Sequence, residues 1–525
     1  VEILRLFSED PHAAKHAYEQ WPITEFCDCQ ELYIWRQFGA LFLKSWDGAS
    51  DAKQRKAAAF ASFTEGERRC RRYNRKLRYY TERPNRMPEQ VRVVWSRARE
   101  IIRQALGEFT PETLWDLIVS SRPGGGTAIG TRDRTAVSPA AKYGYTDLCT
   151  TKAALPYARV LVETSPIRVQ CIGSNTEEGA WVLEYRLVEG NRVTVVPKDA
   201  TVDRTIAIEP ALNVELQLGV HEYLSRRVLP RLGVTIESQE PNRQAARQGA
   251  AAWDSVDPYV TLDLRNSSNS LSTEMVRAFL PDNGWLGYLD DIRSKRYQLE
   301  GSMYDYEMWS SMGNGYTFAL QCLLYMALAK AALSLTTSEL QPRVFGDDIV
   351  VPRGCAALLV EVLQFFGCEV NTSKSFLFGP FRESCGGDYY GEQEVVPVYL
   401  RGMRKLALTD LYRLRNRFRR TPDTLYFRHL EHLLRCLGPH PLVPAWFPDD
   451  SGVHTDLEVS SWEWHRWEQR YYCLSVTWRP DRARHDDSWS YAAALRGATA
   501  HDQLDEFSAL TRRGVGHFAL VASPD

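Results

Sequence analysis

The chain has 525 residues, of which 44% are hydrophobic and 25% are charged, and its formal net charge is −2. This composition excludes an intrinsically disordered chain, a coiled coil and a bundle of membrane helices. Because a single hydrophobic core stops growing at about 250–300 residues, the length predicts several subdomains.

Charge is unevenly distributed along the chain, although its sum is close to zero. Residues 68–86 and 413–420 are strongly basic with interleaved Tyr or Phe, whereas residues 449–458 carry acids and no Lys or Arg. Local basic patches attract RNA even when the net charge is slightly negative. Each basic run is therefore either a nucleic-acid contact or the solvated face of a helix.

The cysteines argue against a disulfide framework. The chain has 11 cysteines at irregular spacings without a CxxC pair, which predicts free thiols in a reducing cytosol. One cluster has the residue types of a zinc site, but along one helix it would span about 16 Å at about 1.5 Å per residue, too far for one ion unless the chain folds back. The cluster comprises His429, His432, Cys436 and His440. The alternative is an amphipathic helix with exposed histidines.

The first 120 residues contain charged and aromatic stretches with helical spacing, over Ala57–Arg78 and Pro88–Leu106. A glycine cluster follows, and the spacing from Gly125 to Gly130 imitates a phosphate-binding loop. Thr131 occupies the position of the lysine that such a loop requires, so a P-loop nucleoside triphosphatase is disfavoured.

The central region alternates between strand and helix patterns. The period-two alternation from Trp181 to Val196 predicts a β-hairpin that turns near residues 189–191. The order of the remaining elements predicts an α+β fold, in which a sheet carries a layer of helices. These elements are strands over Tyr259–Leu264 and Arg343–Val351 and helices over Ser272–Leu280, Tyr316–Leu333 and Cys355–Phe366.

The longest apolar stretch runs from Phe318 to Leu335 and contains Gln321 and Lys330. A lysine at the middle of a membrane costs about 2.5–3.5 kcal/mol. The stretch is therefore interpreted as a buried helix and not as a membrane span.

Two adjacent aspartates, Asp347 and Asp348, stand between short β-rich arms in the segment RVFGDDIVVP. Gly346 before them can adopt the positive φ that a tight turn needs. Two carboxylates at a hairpin tip repel each other unless a cation lies between them. The alternative is a surface turn in which Asp is simply a favoured turn residue.

Asp263 ends another predicted strand, with its apolar neighbours on the opposite face by the period-two geometry of strands. Its carboxylate is therefore expected to face the hairpin tip. Three carboxylates from neighbouring strands supply hard oxygen ligands for two Mg²⁺ ions about 3.5–4 Å apart, with positions left for water and substrate phosphates. Mn²⁺ or Ca²⁺ is expected to substitute for Mg²⁺.

Between these acids lies the segment WSSMGNGYTFAL, in which Gly313 and Gly315 flank Asn314 just before a predicted helix. Glycines permit close approach of a backbone to a sugar or phosphate. A glycine-rich entry to a helix is also common where nothing binds. The position of this segment between Asp263 and Asp347 favours a functional loop.

The ordered motifs resemble a known family. The resemblance rests on Asp263 and on the segments 194–220, 310–318 (SSMGNGYTF), 345–348 (FGDD) and 371–386 (NTSKSFLFGPFRESCG). Together they are similar to the replicase β subunit of leviviruses, the small RNA phages. The similarity runs from about residue 192 to about residue 400 and is weak elsewhere.

The resemblance implies a right-hand polymerase with fingers, thumb and an antiparallel palm sheet backed by helices. The expected parts are an N-terminal region with fingers over 1–250, a palm over 251–400 and a thumb or C-terminal region over 401–525. Such an RNA-dependent RNA polymerase would copy a phage RNA genome from nucleoside triphosphates by two-metal-ion nucleotidyl transfer, in the cytoplasm of the infected bacterium and without a membrane. Expected partners are template and product RNA, host elongation factors Tu and Ts, and an RNA-binding protein of the small ribosomal subunit.

The resemblance also implies roles for single residues. The metal ligands and catalytic carboxylates would be Asp263, Asp347 and the adjacent Asp348. Lys374 would be catalytic too, as a general acid near the leaving pyrophosphate. The nucleotide-binding residues would be Lys198, Arg204, Asn269, Ser311, Gly313 and Asn314.

The chain departs from the family pattern at three positions. Phe345 replaces the usual Tyr before the two aspartates, so a hydroxyl is missing there. Thr201 replaces a lysine, so triphosphate binding would depend more on Arg204, whose planar guanidinium binds phosphate oxygens bidentately. Asn269 replaces the carboxylate that usually serves the ribose contact; alternatively, it caps the helix predicted to begin near Leu271.

Two other functions compete with this interpretation. A reverse transcriptase would use the same three carboxylates, but its hairpin usually lacks the glycine at 346 and it does not carry the block at 310–318. A non-catalytic RNA-binding or capsid protein would explain the basic runs yet not the ordered carboxylates.

Overall fold

The computed structural model gives the fold of most of the chain. The residues that it describes are 15–16, 18, 23, 28–45, 51–131, 147–165, 174–175, 181–198, 201–397, 408–419, 425–456, 462–465, 470–478 and 516–522.

Helices and short strands are mixed throughout these residues, as the predicted α+β fold requires. The α-helices are α1 (Cys29–Ser45), α2 (Ala52–Glu82), α3 (Glu89–Leu106), α4 (Pro111–Val119), α5 (Leu155–Glu163), α6 (Ala211–Tyr223), α7 (Glu240–Ala251), α8 (Thr273–Phe279), α9 (Trp285–Ile292), α10 (Thr317–Leu333), α11 (Arg353–Phe365), α12 (Leu408–Phe418) and α13 (Leu425–Leu437). The strands are β1 (Leu148–Thr151), β2 (Ser174–Asn175), β3 (Trp181–Val182), β4 (Tyr185–Val188), β5 (Asn191–Pro197), β6 (Asp203–Ile208), β7 (Tyr259–Leu262), β8 (Leu264–Arg265), β9 (Arg296–Leu299), β10 (Ser302–Asp305), β11 (Arg343–Phe345), β12 (Asp348–Pro352), β13 (Glu369–Val370), β14 (Phe381–Ser384), β15 (Gly387–Tyr390), β16 (Gln393–Glu394), β17 (Leu442–Pro444), β18 (Val453–Thr455), β19 (Trp462–His465), β20 (Arg470–Trp478) and β21 (Gly516–Ala522).

The chain forms two compact units. The larger unit comprises Glu19–Cys29 and Ser50–Val396. The smaller unit comprises Val1–Tyr18, Gln30–Ala49 and Pro397–Asp525. The expected division into fingers, palm and thumb at residues 250 and 400 stays a prediction.

Helix α10 lies in the hydrophobic core of the larger unit. Its sequence is apolar on every side, so it has no face to turn toward water, and it packs against α3 and α11 with nearly all its side chains buried. The amide of buried Gln321 donates to Ser267 Oγ at 2.7 Å. The prediction of a buried helix is confirmed, and none of the described helices is long and apolar enough to cross a membrane.

Strands β7, β11 and β12 form the sheet that positions the acidic residues. β11 and β12 are the arms of a hairpin, and β12 pairs on its other side with β7, antiparallel throughout. Helices α7, α10 and α11 pack against this sheet. The predicted strand over Tyr259–Leu264 is confirmed, although it breaks at Asp263, after which β8 pairs with β13. The hairpin predicted within Arg343–Val351 is confirmed as well.

The hairpin predicted from Trp181 to Val196 is wrong in its pairing. β4 pairs in parallel with β1, whereas β5 pairs with β6 and β9. Gly190 between β4 and β5 packs against the backbone of Arg296, where a Cβ would lie 1.9 Å from the carbonyl oxygen. This close approach brings β5 to β9, and the real hairpin is β5 with β6. The alternation of apolar residues identifies half-buried strands but not their partners.

The described part of the basic run, residues 413–419, is neutralised within the smaller unit. Its arginines on and just after α12 form ion pairs with acids of α13 and of the acidic stretch at 449–458. They therefore tie this unit together and do not form a free basic surface for RNA. The pairs are Arg413–Asp450 at 2.5 Å, Arg415–Glu431 at 2.6 Å, Arg417–Asp449 at 2.5 Å and Arg419–Asp456 at 2.7 Å.

The basic run at 68–86 lies on α2 and is partly neutralised in the same way. Its arginines reach acids on segments far away in sequence. These pairs are partly exposed, so each contributes only about 0–1 kcal/mol to the free energy of unfolding. Together they help to fix the position of α2 in the larger unit. They are Arg69–Glu369, Arg71–Glu307 and Arg78–Glu274.

The zinc interpretation of the C-terminal histidines is wrong. The chain does fold back after α13, but His440 then places Nε2 2.6 Å from the carbonyl oxygen of Leu434 and Nδ1 2.9 Å from the hydroxyl of Tyr412. Cys436 faces His432 at 3.6 Å. Among the described residues, no group of three or more His, Cys, Asp or Glu side chains could hold a metal ion.

A test of the packing under the acidic sheet is Gly249→Ala. Gly249 of α7 lies against β7, where a Cβ would be 2.2 Å from the carbonyl oxygen of Tyr259. We expect the added methyl group to push α7 away and to lower the free energy of unfolding by about 1–3 kcal/mol, measured by urea denaturation. The matched control is Gly287→Ala in α9, where a Cβ meets nothing within 4 Å. This control should be neutral or stabilising by up to about 1 kcal/mol, and equal effects of both changes would contradict the packing argument.

Candidate active site

The tip of the β11–β12 hairpin carries the two adjacent aspartates. Phe345 pairs with Asp348, which leaves Gly346 and Asp347 as a two-residue loop. Gly346 has φ +63°, and a Cβ there would lie 2.5 Å from the ring of Phe318. Both facts require glycine at this position. The ring of Phe345 meets the ring of Phe318 edge to face at 4.9 Å, so its apolar packing does not need the missing tyrosine hydroxyl.

Asp263 lies across the sheet from Asp348. Strands β7 and β12 pair Leu262 with Ile349, so Asp263, which directly follows β7, and Asp348, which begins β12, lie at the same end of this antiparallel pair. The charge of Asp263 acts on Asp348, as expected of carboxylates at one end of a strand pair.

The segment 371–376 borders Asp263 on the other side of β7. The amide of Asn371 donates to the carboxylate of Asp263 at 2.7 Å, and the backbone N–H of Asp263 donates to Ser375 Oγ at 3.1 Å. Phe376 and Thr261 exchange backbone hydrogen bonds further along. This pairing brings Lys374 close enough for its charge to act on Asp263 and Asp347, and its catalytic role stays a prediction.

Burial raises the pKa of all three carboxyl groups. Burial raises the pKa of Asp348 to about 6, and the charges of Asp347, Glu383 and Asp263 add to the effect, against one hydrogen bond from the backbone N–H of Cys385. Burial also raises the pKa of Asp263; the hydrogen bond from Asn371 and the charge of Lys374 oppose the rise, and the charges of Asp347 and Glu383 add to it. The positive charge at the site is thus too small to offset burial and the neighbouring acids.

Cations converge on Asp347. Burial raises its pKa, and the positive charges of Arg204, Lys198 and Lys374 partly offset that rise. Lys198 and Arg204 are exposed near the end of the β5–β6 hairpin, which is closed by the bond from the N–H of Lys198 to the carbonyl of Val202 at 3.0 Å. The structure therefore brings the two predicted nucleotide-binding cations, Lys198 and Arg204, and the predicted general acid, Lys374, to the predicted acidic centre.

The donor set fits a hard divalent cation, although its members are not pre-assembled as a metal site. No group of three acidic side chains in the described part of the chain is close enough to hold an ion by itself. Mg²⁺ typically uses only one or two protein carboxylates together with water and substrate phosphates. The mutual repulsion of Asp263, Asp347 and Asp348 is the electrostatic condition that a cation relieves.

The glycine loop at 311–315 lies against β6. The N–H of Ala207 donates to the carbonyl of Met312 at 2.7 Å, and a Cβ on Gly313 would lie 2.1 Å from the carbonyl oxygen of Ala207. Gly313 is therefore required by contact with the protein's own backbone, whereas the sequence argument invoked a sugar or phosphate. Ser311 is buried and shares a hydrogen bond with the hydroxyl of Tyr306 at 3.0 Å.

Asn314 follows in this loop, just before α10. Its side-chain oxygen accepts from the backbone N–H of Tyr316 at 3.1 Å and from Thr317 Oγ1 at 3.3 Å. The oxygen thus fixes the start of the helix, and the predicted nucleotide contact of Asn314 would use its amide NH₂.

Asn269 does not cap the following helix. The helix begins at Thr273, and its cap is Ser272, whose hydroxyl accepts from the N–H of Met275 at 3.2 Å. Asn269 ends a short 3₁₀ turn, and its side-chain oxygen is buried without a hydrogen-bond partner. The capping alternative is wrong, and the ribose role of Asn269 stays a prediction.

Comparison with known proteins decides the family. The model of the family "RNA replicase, beta-chain" matches residues 39–424. The chain belongs to this family. It is 30% identical over 477 residues to the RNA-directed RNA polymerase subunit beta of Qbeta virus (strain MX1), a match that covers 87% of this chain and 75% of that protein. The predicted levivirus resemblance and the assignment to the RNA-directed RNA polymerases are confirmed.

Other matches cover shorter parts of their partners. The chain is 40% identical over 233 residues to the RNA-directed RNA polymerase subunit beta of Escherichia virus Qbeta, which covers 42% of this chain and 38% of that protein. Among solved structures, the RNA-dependent RNA polymerase of a human picorbirnavirus matches at 16% identity with a TM-score of 0.33, over 47% of this chain and 55% of that one.

Sequence reasoning missed two polar residues of this replicase centre. Asn371 holds the carboxylate of Asp263, and Glu383 on β14 is a fourth acid whose charge acts on Asp263 and Asp348. Both lie in the segment 371–386 that carried the family resemblance. The alternation of β14 could have placed Glu383 on one face, but only the fold shows that this face meets the acidic centre.

The raised pKa of Asp348 makes a prediction for stability against pH. The folded chain binds the Asp348 proton below about pH 6, and the unfolded chain does so only below about pH 3.8. Stability from this group is therefore present at pH 4 and is lost as the pH rises through 6. Without divalent cations, we expect Asp348→Asn to raise the melting temperature at pH 7.5 and to have little effect on it near pH 4. At about 1.4 kcal/mol per pH unit, the gain in the free energy of unfolding at pH 7.5 is up to about 3 kcal/mol. Thermal unfolding monitored by circular dichroism at both pH values measures this difference.

The control for this prediction is Asp254→Asn, which removes an exposed carboxylate and should change the melting temperature at neither pH. A loss of stability in Asp348→Asn at pH 7.5 would show that the carboxylate is stabilised by its surroundings and that the site is not short of positive charge.

Proposed function

We propose that this chain catalyses RNA synthesis on an RNA template, as the catalytic β subunit of a phage replicase. The supporting observation is that three carboxylates and three cations lie near one another at one end of the β7–β12 pair. These residues are Asp263, Asp347, Asp348, Lys198, Arg204 and Lys374. A triphosphate carries negative charge that the cations attract, and the carboxylates hold the metal ions that accompany it. A non-catalytic RNA-binding protein would need the cations but not the buried acids.

The proposal includes a right-hand arrangement. Residues 1–250 would contain the fingers, 251–400 the palm and 401–525 the thumb. The β7, β11 and β12 sheet with its backing helices is what the palm of such an enzyme requires, because rigid strands hold the carboxylates. The β5–β6 hairpin would be the part of the fingers that covers the triphosphate.

In the proposed reaction, the 3′ oxygen of the growing strand forms a bond to the α-phosphorus of the nucleotide. The bond from that phosphorus to the bridging oxygen breaks, and pyrophosphate leaves. Lys198 and Arg204 would bind the phosphates, and Lys374 would supply a proton to the leaving pyrophosphate. Divalent cations held by Asp263, Asp347 and Asp348 would neutralise charge on the attacking and leaving oxygens. The proton of the attacking hydroxyl passes to solvent.

Partners and location are part of the proposal. Template and product RNA and nucleoside triphosphates follow from the reaction. Host elongation factors Tu and Ts, a small-subunit ribosomal protein and the cytoplasm of the infected bacterium are proposed because the resemblance implies them. Co-purification of host proteins with the chain, and dependence of activity on them, tests this part.

The first test removes the carboxylates. Asp263→Asn and Asp347→Asn should each abolish nucleotide incorporation in Mg²⁺ while the circular dichroism spectrum is unchanged, because each removes a metal ligand from a site built to neutralise charge. Asp348→Asn should be milder. Asp254→Asn serves as the exposed control. Incorporation within about tenfold of the wild type in either of the first two variants, equivalent to less than about 1.4 kcal/mol in the barrier, would overturn the assignment.

The second test concerns Arg204. Arg204→Ala should raise the KM for nucleotides by about tenfold or more and slow the chemical step, since the guanidinium would contact the triphosphate. RNA affinity should change little. The matched control is Arg192→Ala, which removes an exposed arginine from the other end of the same hairpin, where Arg192 pairs with Ile208. Unchanged nucleotide kinetics with weakened template binding would assign Arg204 to the template.

A further inference from the structure

Glu209 is a buried acid that directly follows β6 and has no part in the site described so far. Its carboxylate accepts hydrogen bonds from Asn191 Nδ2 at 2.7 Å, from Ser294 Oγ at 2.7 Å and from Gln217 Nε2 at 3.3 Å. Only 3% of the residue is exposed. Burial raises its pKa, and the three donors and the nearby charge of Arg293 oppose the rise. A buried carboxyl group with this many partners is a hub that orients its neighbours.

Two branches run from this hub to the glycine loop. In one, Asn191 Oδ1 accepts from the hydroxyl of Tyr306 at 3.0 Å, and that hydroxyl also shares a bond with Ser311 Oγ at 3.0 Å. In the other, Gln217 Oε1 accepts from the N–H of Gly315 at 2.9 Å. The loop that holds Asn314 is thereby fixed at its first and last residues through one carboxylate.

The same hub fixes the loop relative to the phosphate-binding strand. Glu209 is covalently continuous with β6, which carries Arg204 at its beginning. The middle of the loop meets β6 through the bond between Ala207 and Met312 at 2.7 Å. Arg204, which would hold the triphosphate, and Asn314, which would face the sugar, therefore belong to one hydrogen-bonded frame.

We propose that Glu209 is a positioning residue that fixes the glycine loop against β6, so that the triphosphate and sugar contacts act on the same bound nucleotide. This inference rests on the proposed polymerase function. A looser frame affects the alignment of the nucleotide more than its charge contacts, and alignment is what rejects a deoxy analogue.

Two variants break the frame at different points. Glu209→Gln keeps the size of the side chain but places an NH₂ group against Asn191 Nδ2 or Gln217 Nε2, which are both donors. Tyr306→Phe deletes only the hydroxyl that joins Asn191 to Ser311 and keeps the ring. The matched control is Tyr288→Phe, which removes a buried tyrosine hydroxyl that has no hydrogen-bond partner.

The experiment measures primer extension with a ribonucleotide and with its deoxy analogue, together with RNA affinity and the melting temperature. For Glu209→Gln and Tyr306→Phe, we expect the ratio of kcat/KM for ribonucleotide over deoxynucleotide to fall by about tenfold, the scale of one lost buried hydrogen bond. RNA affinity should be unchanged. Tyr288→Phe should match the wild type in that ratio.

The outcomes separate the inference from the function on which it rests. A wild-type chain that extends no primer, alone or with host extract, overturns the polymerase proposal. If the wild type is active and the two variants lose melting temperature but keep the wild-type sugar ratio and KM at a temperature where they are folded, Glu209 is structural only and the inference is overturned. A Glu209→Gln variant that does not fold leaves Tyr306→Phe to decide between these results.

Discussion

The antiparallel register of β7 and β12 forces like charges together, and the rest of the site depends on this constraint. Because Leu262 pairs with Ile349, Asp263 and Asp348 lie at the same end of the two strands, and the two-residue loop adds Asp347. Slipping the register by one residue would turn the aspartates to the other face and the apolar residues out of the core. The buried helices against the sheet prevent that slip. Hydrophobic packing therefore holds in place an electrostatic arrangement that is unfavourable by itself.

The hydrogen bonds and charges around the carboxylates partly offset this unfavourable electrostatic arrangement. Asn371 donates to one oxygen of Asp263, and the backbone N–H of Cys385 donates to one oxygen of Asp348. The nearby positive charges, which are those of Arg204, Lys198 and Lys374, act on Asp347. A fully paired carboxylate would bind a cation weakly, and a fully unpaired one would be protonated. The observed mixture keeps carboxylate oxygens available near neutral pH, as the proposed cation site requires.

Local patterns of the sequence were sufficient to predict much of the fold and of the candidate site. The strand at Tyr259–Leu264, the hairpin around Gly346 and the buried helix α10 follow from period and turn chemistry, and the three aspartates follow from their order. Pairings across long separations were not predictable. β5 pairs with β9, about 100 residues later, and Arg417 pairs with Asp449, because tertiary packing selects partners that alternation and charge counts do not identify. Glu383 and the hub at Glu209 were missed for the same reason.

The interleaved composition of the smaller unit constrains how the chain is assembled during synthesis. Residues Gln30–Ala49 belong with Pro397–Asp525, and the ring of Tyr33 meets that of Phe418 at 5.8 Å. At bacterial translation rates of about 5–20 residues per second, α1 must wait about 20–70 s for these partners. The stretch from Ser50 to Val396 can fold in the meantime. The acidic centre can thus form before the last residues of the smaller unit have been synthesised.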